Sequence, residues 1–195
     1  ETEEDRIKDT RIMKLFKHHP MFVFGLFSLL AYEIAEISIN SYFINFVTGQ
    51  GWMDDNSASM VLTVALGFFM VGRFLGSWIM RRIPAERMLM YCSLGSVSCL
   101  GVVLLDIGHW SMYALIANYL FEAIMFPTIF SLSLQGLGNL TKSASSLLMM
   151  TPIGGCFFLL MGYVADQTNL VVPFLIPFIG YFIVLLYASE LSRKS

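Results

Sequence analysis

Apolar residues run from Met21 to Val47, interrupted by only two charged side chains, Glu33 and Glu36, near the middle. Five more apolar runs follow, over about 58–80, 88–105, 111–132, 144–165 and 171–189. A helix needs about 20 mostly apolar residues to cross the hydrocarbon of a bilayer. Barrel strands would be half that length and would alternate apolar with polar, which these runs do not. The pattern therefore predicts six transmembrane helices, spans one to six, joined by the short polar stretches "TGQGWMDDNS", "RRIPAER", "DIGHW", "QGLGNLTKSA" and "DQTNL". The expected organisation is a charged, partly helical linker over 1–19, a six-helix domain over 20–190 and a tail over 191–195.

Composition agrees with this. Charged residues make up 13% of the chain, against about 25% in a soluble domain, and ten of the 26 lie within residues 1–20. Of the twelve Lys and Arg, five fall in residues 1–20, three in the second loop, one in the fourth and two in the tail. The first, third and fifth loops carry none, and the twelfth, Arg73, lies inside span two. Basic residues favour the cytoplasmic side, so both termini are expected there. The "NLT" at Asn139 then faces the cytoplasm and is expected to carry no glycan. The basic groups sit in small clusters between apolar runs, which is not a nucleic-acid footprint. The acidic residues of the N-terminal segment do not fit a signal peptide. Cys92, Cys99 and Cys156 lie in apolar runs without a CxxC or Cys/His spacing, so neither a disulfide framework nor a metal site is expected. No Ser/His/Asp set, phosphate loop or cofactor motif is present, which argues against an enzyme.

Ionisable groups inside a membrane are costly and point to function by default. Glu33, Glu36 and Asn40 are spaced i, i+3, i+7, which sets them along one side of span one. Glu33 and Glu36 lie ~18 and ~22 Å along the helix from Met21, near the bilayer centre. Two carboxylates one turn apart repel, and low dielectric disfavours their charged forms, so at least one is expected to hold a proton. In span four, Asn118, Glu122 and Phe126 recur every four residues, just before Pro127, which must kink the helix. An amide and a carboxylate hydrogen-bond hydroxyls, and an aromatic ring packs on the apolar face of a sugar. Glu36, Asn40, Asn118, Glu122 and Phe126 are therefore candidate substrate-binding residues, and Glu33, Glu36 and Glu122 candidate proton-linked groups. Span five has a second kink site at Pro152, Gly154 and Gly155, and span two has Gly72 and Gly76 at a spacing for close helix contact. Arg73 is expected to snorkel to the cytoplasmic face rather than pair with an acid. On the residues alone, an interhelical polar cluster, an assembly subunit without transport of its own, and a channel remain alternatives. The ring of like charges or carbonyl filter of a channel is not visible.

The stretches "GRFLGSWIMRRIP", "MFPTIFSLSLQGLG", "TKSASSLLMMTPIGG" and "MGYVAD" resemble the C-terminal half of the fucose permease family, sugar:proton symporters of the major facilitator superfamily. The similarity runs from about Pro20 to Glu190. It implies half of a twelve-helix fold, with a 3+3 inverted repeat, alternating access to a central cavity, and spans one, two, four and five on the cavity wall. It implies a sugar and protons as the transported species, and a multi-pass location in the bacterial inner membrane. The acid at Glu36 resembles the glucose/galactose branch, whereas fucose-type members tend to carry an amide there. Gly72, Arg73, Gly76, Arg81 and Arg82 resemble the superfamily's gating-loop motif, without its usual aspartate. The family's principal proton-carrying carboxylates lie in its other half. The resemblance therefore implies a partner: an N-terminal six-helix half or a second six-helix unit.

Overall fold

The computed structural model describes residues 12–194. The linker expectation for residues 1–11 lies outside the described residues; residues 12–18 are helical, with Leu15 buried. Three unbroken helices follow: α1 (Pro20–Gly49), α2 (Asp55–Ile79) and α3 (Ala85–Leu104). Span four is two helices end to end, α4 (His109–Glu122) and α5 (Met125–Ser133). Span five is assembled from pieces: a short 3-10 turn at Gly138–Leu140, α6 (Thr141–Leu148), a 3-10 stretch at Thr151–Phe157 and α7 (Phe158–Gln167). A turn at Val172–Phe174 leads into α8 (Leu175–Lys194).

Among the described residues six helices are long and apolar enough to cross a membrane, as the hydrophobic runs predict. Spans one and five, at 30 residues each, are longer than their apolar runs. At 1.5 Å per residue they reach ~45 Å, beyond the ~30 Å hydrocarbon core, so their polar ends stay helical outside it. That is why the fourth connection is helical from Gly138 rather than a loop throughout.

The packing has an internal symmetry. α1 lies along α8 as α4 lies along α3; α2 packs on α4 as the Thr151–Phe157 stretch packs on α1; α1 meets α5, and α3 meets α8. Exchanging spans one, two and three for four, five and six leaves this pattern unchanged. Spans three apart in sequence cross in opposite directions, so the relation is an inverted repeat about an axis between spans one and four.

Spans one and four are the most buried, and spans two and five the most exposed. The α1 core face is Leu29, Tyr32, Ala35, Ile39, Phe43 and Phe46, repeating every three or four residues as a buried helix face must. Lipid supplies no hydrophobic drive between helices, so close backbone contact through small residues does that work. A Cβ on Gly72 would sit 2.9 Å from the Leu120 carbonyl oxygen of α4, and one on Gly154 would sit 2.9 Å from the Leu30 and Ile34 side chains of α1. Glycine thus seats each peripheral span on its central one. The outward faces carry Met60, Phe74 and Trp78 on α2, and Ile153, Leu159 and Tyr163 on span five, all exposed.

Candidate functional site

The break in span four organises the site. Pro127 has no amide hydrogen, so the Ala123 carbonyl four residues back loses its helical donor. The helix is interrupted at Ala123 and Ile124, and three successive carbonyls there find side-chain donors. The Tyr32 hydroxyl donates to the Glu122 carbonyl at 3.0 Å, Arg73 Nε to the Ala123 carbonyl at 3.2 Å, and the Thr128 hydroxyl to the Ile124 carbonyl at 2.7 Å. Spans one, two and four are thereby tied together at one level. Arg73 does not snorkel as its sequence position suggests. Its Nε is taken up by the orphaned carbonyl, which would otherwise be an unsatisfied buried acceptor, and its guanidinium carbon lies 5.0 Å from the Phe69 ring one turn back on α2, while the side chain stays exposed.

Glu122 ends α4 at this break and is fully buried. Its Oε2 accepts a hydrogen bond from Asn118 Nδ2 at 2.8 Å and another from the Tyr181 hydroxyl of α8. Asn118 Nδ2 is also 3.5 Å from that hydroxyl. Glu122 Oε1 and Asn118 Oδ1 are buried without partners. Glu36 is only half-buried. Tyr32, one turn back on α1, reaches its carboxyl, and the charges of Arg73 and Glu122 act on it. Phe126 is half-buried, 6.4 Å from the Tyr32 ring and stacked 6.1 Å from Phe130. Asn40, one turn beyond Glu36, is half-buried, and its Oδ1 has no partner.

The chain is 34% identical over 175 residues to a glucose/galactose transporter of Brucella abortus, covering 88% of this chain and 42% of that one. It is 30% identical over 167 residues to the L-fucose-proton symporter of Escherichia coli K12, covering 84% and 38%. The crystal structure of FucP, a major facilitator superfamily transporter in the outward conformation, matches with a TM-score of 0.88 and 28% identity, covering 93% of this chain and 44% of that one. No family model matches the sequence. The chain has the fold of one half of a major facilitator superfamily transporter. It spans less than half the length of each of these relatives.

Within that half, the predicted residues divide. Glu36, Asn40 and Phe126 keep part of their surface open, while Asn118 and Glu122 are enclosed among spans one, four and six. Glu33 is buried and has no hydrogen-bond partner among the described residues. It lies roughly 60° round the helix from Glu36, beside the Leu30–Ile34–Ile37 face that receives Gly154 and Gly155. Pro152 is exposed and opens the 3-10 stretch of span five. Gly72 and Gly76 belong to the contact with span four, whereas Arg81 and Arg82 are exposed beyond α2, Arg82 lying over Trp78 at 5.7 Å. Sequence reading missed Tyr32, Tyr181 and the capping role of Arg73. Tyr32 had a signal, one turn before Glu36. Tyr181 had none, because α8 reaches the site only through packing against α1 and α3.

Proposed function

We propose that this chain is the C-terminal six-helix half of a proton-coupled sugar transporter, lying in a bacterial inner membrane with both termini cytoplasmic. The observation that carries the reading is the half-open Glu36 carboxyl at the centre of span one, set against the enclosed Asn118–Glu122–Tyr181 cluster at the break of span four. α1 is 30 residues long, so Glu36 is ~24 Å from one end and ~20 Å from the other, the midplane level at which transporters bind substrate.

On this reading the sugar sits between this half and a second one. Glu36 and Asn40 hydrogen-bond its hydroxyls, and Phe126 packs on its apolar face. Asn118 and Glu122, behind them, fix the bend of span four that presents Phe126. Rocking of the halves exposes the site alternately to each side. Proton coupling follows if Glu36 binds a proton more tightly with the site open to one side than to the other, because only differential affinity shifts such an equilibrium. Glu33 is a second proton-linked candidate, and Arg81 and Arg82 belong to the loop that closes the cytoplasmic side. The names of the Brucella and Escherichia relatives support a hexose or fucose as the substrate class and a proton as the coupling ion. The reading includes no catalytic role, metal or cofactor.

The test is a titration of D-glucose, D-galactose and L-fucose against the chain assembled with its other half, at several pH values. Charge-assisted hydrogen bonds contribute about 1.5–3 kcal/mol each. Glu36→Leu should therefore weaken binding by about ten- to a hundredfold. Glu36→Gln should retain binding and lose its pH dependence. Parent-like binding by Glu36→Leu at every pH would refute the site.

A further inference from the structure

A second cleft lies apart from the Glu36 level. It opens between the outer half of α1 and α7, at the end of the bundle that the basic-residue asymmetry assigns to the outside. Its volume is 390 Å³, within the range of small-molecule sites of about 300–1,000 Å³. Ser41, Tyr42 and Asn45 line it from α1, and Phe158, Tyr163 and Asp166 from α7. This is unusual company for the surface of a membrane helix, where apolar side chains are the rule. The cleft offers three hydroxyls, an amide and a carboxylate among three aromatic rings.

Tyr42 is the informative member. Only 5% of it is exposed, yet its hydroxyl has no hydrogen-bond partner. Its ring stands edge-on against Phe174 at 5.7 Å. Asp166 is close enough for its charge to act on that hydroxyl. A buried donor without a partner costs about 1–3 kcal/mol, and here the residue that carries it lines a cleft of ligand size.

We propose that this cleft is an outer sugar subsite, where a neutral hexose is held by Tyr42, Asn45 and Asp166 and packed on Tyr163 before it reaches the midplane. The proposal rests on the transporter reading above. A lone carboxylate among amides and hydroxyls suits a polyhydroxylated ligand better than a divalent cation, which takes six or more oxygens. The lining residues all come from this chain, so the subsite needs no second half.

The test uses the 195-residue protein in nanodiscs, with Cys92, Cys99 and Cys156 replaced by serine and Gly162→Cys as reporter. Gly162 lines the cleft, and an added Cβ there meets open space. The rate of maleimide labelling is followed as D-galactose, D-glucose or L-fucose is added, with betaine as the osmotic control. At least one sugar should slow labelling at least threefold, with half the effect at millimolar concentration. Tyr42→Phe and Asp166→Asn should each raise that concentration about tenfold, the loss of one good hydrogen bond. Asn45→Leu, further from the core, should do the same if either of those variants fails to fold by circular dichroism. Glu36→Leu should leave the concentration within about twofold. The subsite is refuted if no sugar slows labelling at about 100 mM, or if Glu36→Leu abolishes the effect while the cleft variants do not. It is also refuted if sodium chloride protects and sugar does not. Midplane binding by the assembled transporter tests the parent reading separately. It can survive when the cleft fails.

Discussion

Arg73→Met should cost more stability when residue 127 is proline than when it is alanine. The reason is the Ala123 carbonyl, on a fully buried residue, whose helical donor Pro127 removes and whose place Arg73 Nε takes at 3.2 Å. Loss of that bond leaves a buried acceptor unsatisfied, at about 1–3 kcal/mol. Arg73 is itself largely exposed, so the lower half of that range applies. In the Pro127→Ala background the new amide can reach the Ala123 carbonyl four residues back, and the carbonyl keeps a partner without Arg73. The Arg73–Phe69 ring contact, about 0.5–1 kcal/mol, is lost in both backgrounds and cancels. The coupling across the four proteins should therefore be about 1–2 kcal/mol. It can be read from denaturation in mild detergent followed by circular dichroism. A coupling below about 0.5 kcal/mol, the ordinary scatter between independent sites, would refute the capping argument.

Three further outcomes follow from the same geometry. Glu122→Gln should be tolerated, because a side-chain carbonyl can still accept from Asn118 and Tyr181. Glu122→Leu strands both donors and should cost about 2 kcal/mol or more in the same denaturation assay. Gly154→Val should loosen span five from α1, because its Cβ would lie 2.9 Å from two α1 side chains, and should speed proteolysis of the fourth connection. With the native cysteines removed, Asn56→Cys and Gln167→Cys should react with an impermeant thiol reagent from outside and Ser143→Cys should not; labelling of Ser143→Cys alone would overturn the six-span topology.

The six spans were legible because a bilayer imposes a length and a composition on every crossing helix, and those are one-dimensional properties. Pro127 announced a break. Glu36 and Glu122 stood out because an acid in an apolar run is costly. The division between them was not legible. Glu36 is half-open and Glu122 enclosed, although both are single acids in central spans.

What decides that division is which helix covers which face. Tyr181 comes from α8, and Arg73 from α2, to groups 59 and 50 residues away along the chain. Neither contact has a periodicity or a motif to mark it. The sequence by itself determined the number of spans, the inverted-repeat class through its resemblance, and which residues were too polar to ignore. Only the tertiary structure decided that Arg73 caps the Ala123 carbonyl and that tyrosines from spans one and six close around the break. The physical reason is that burial and hydrogen bonding belong to pairs of surfaces. A run of residues fixes one surface, and its partner is fixed only when the helices pack.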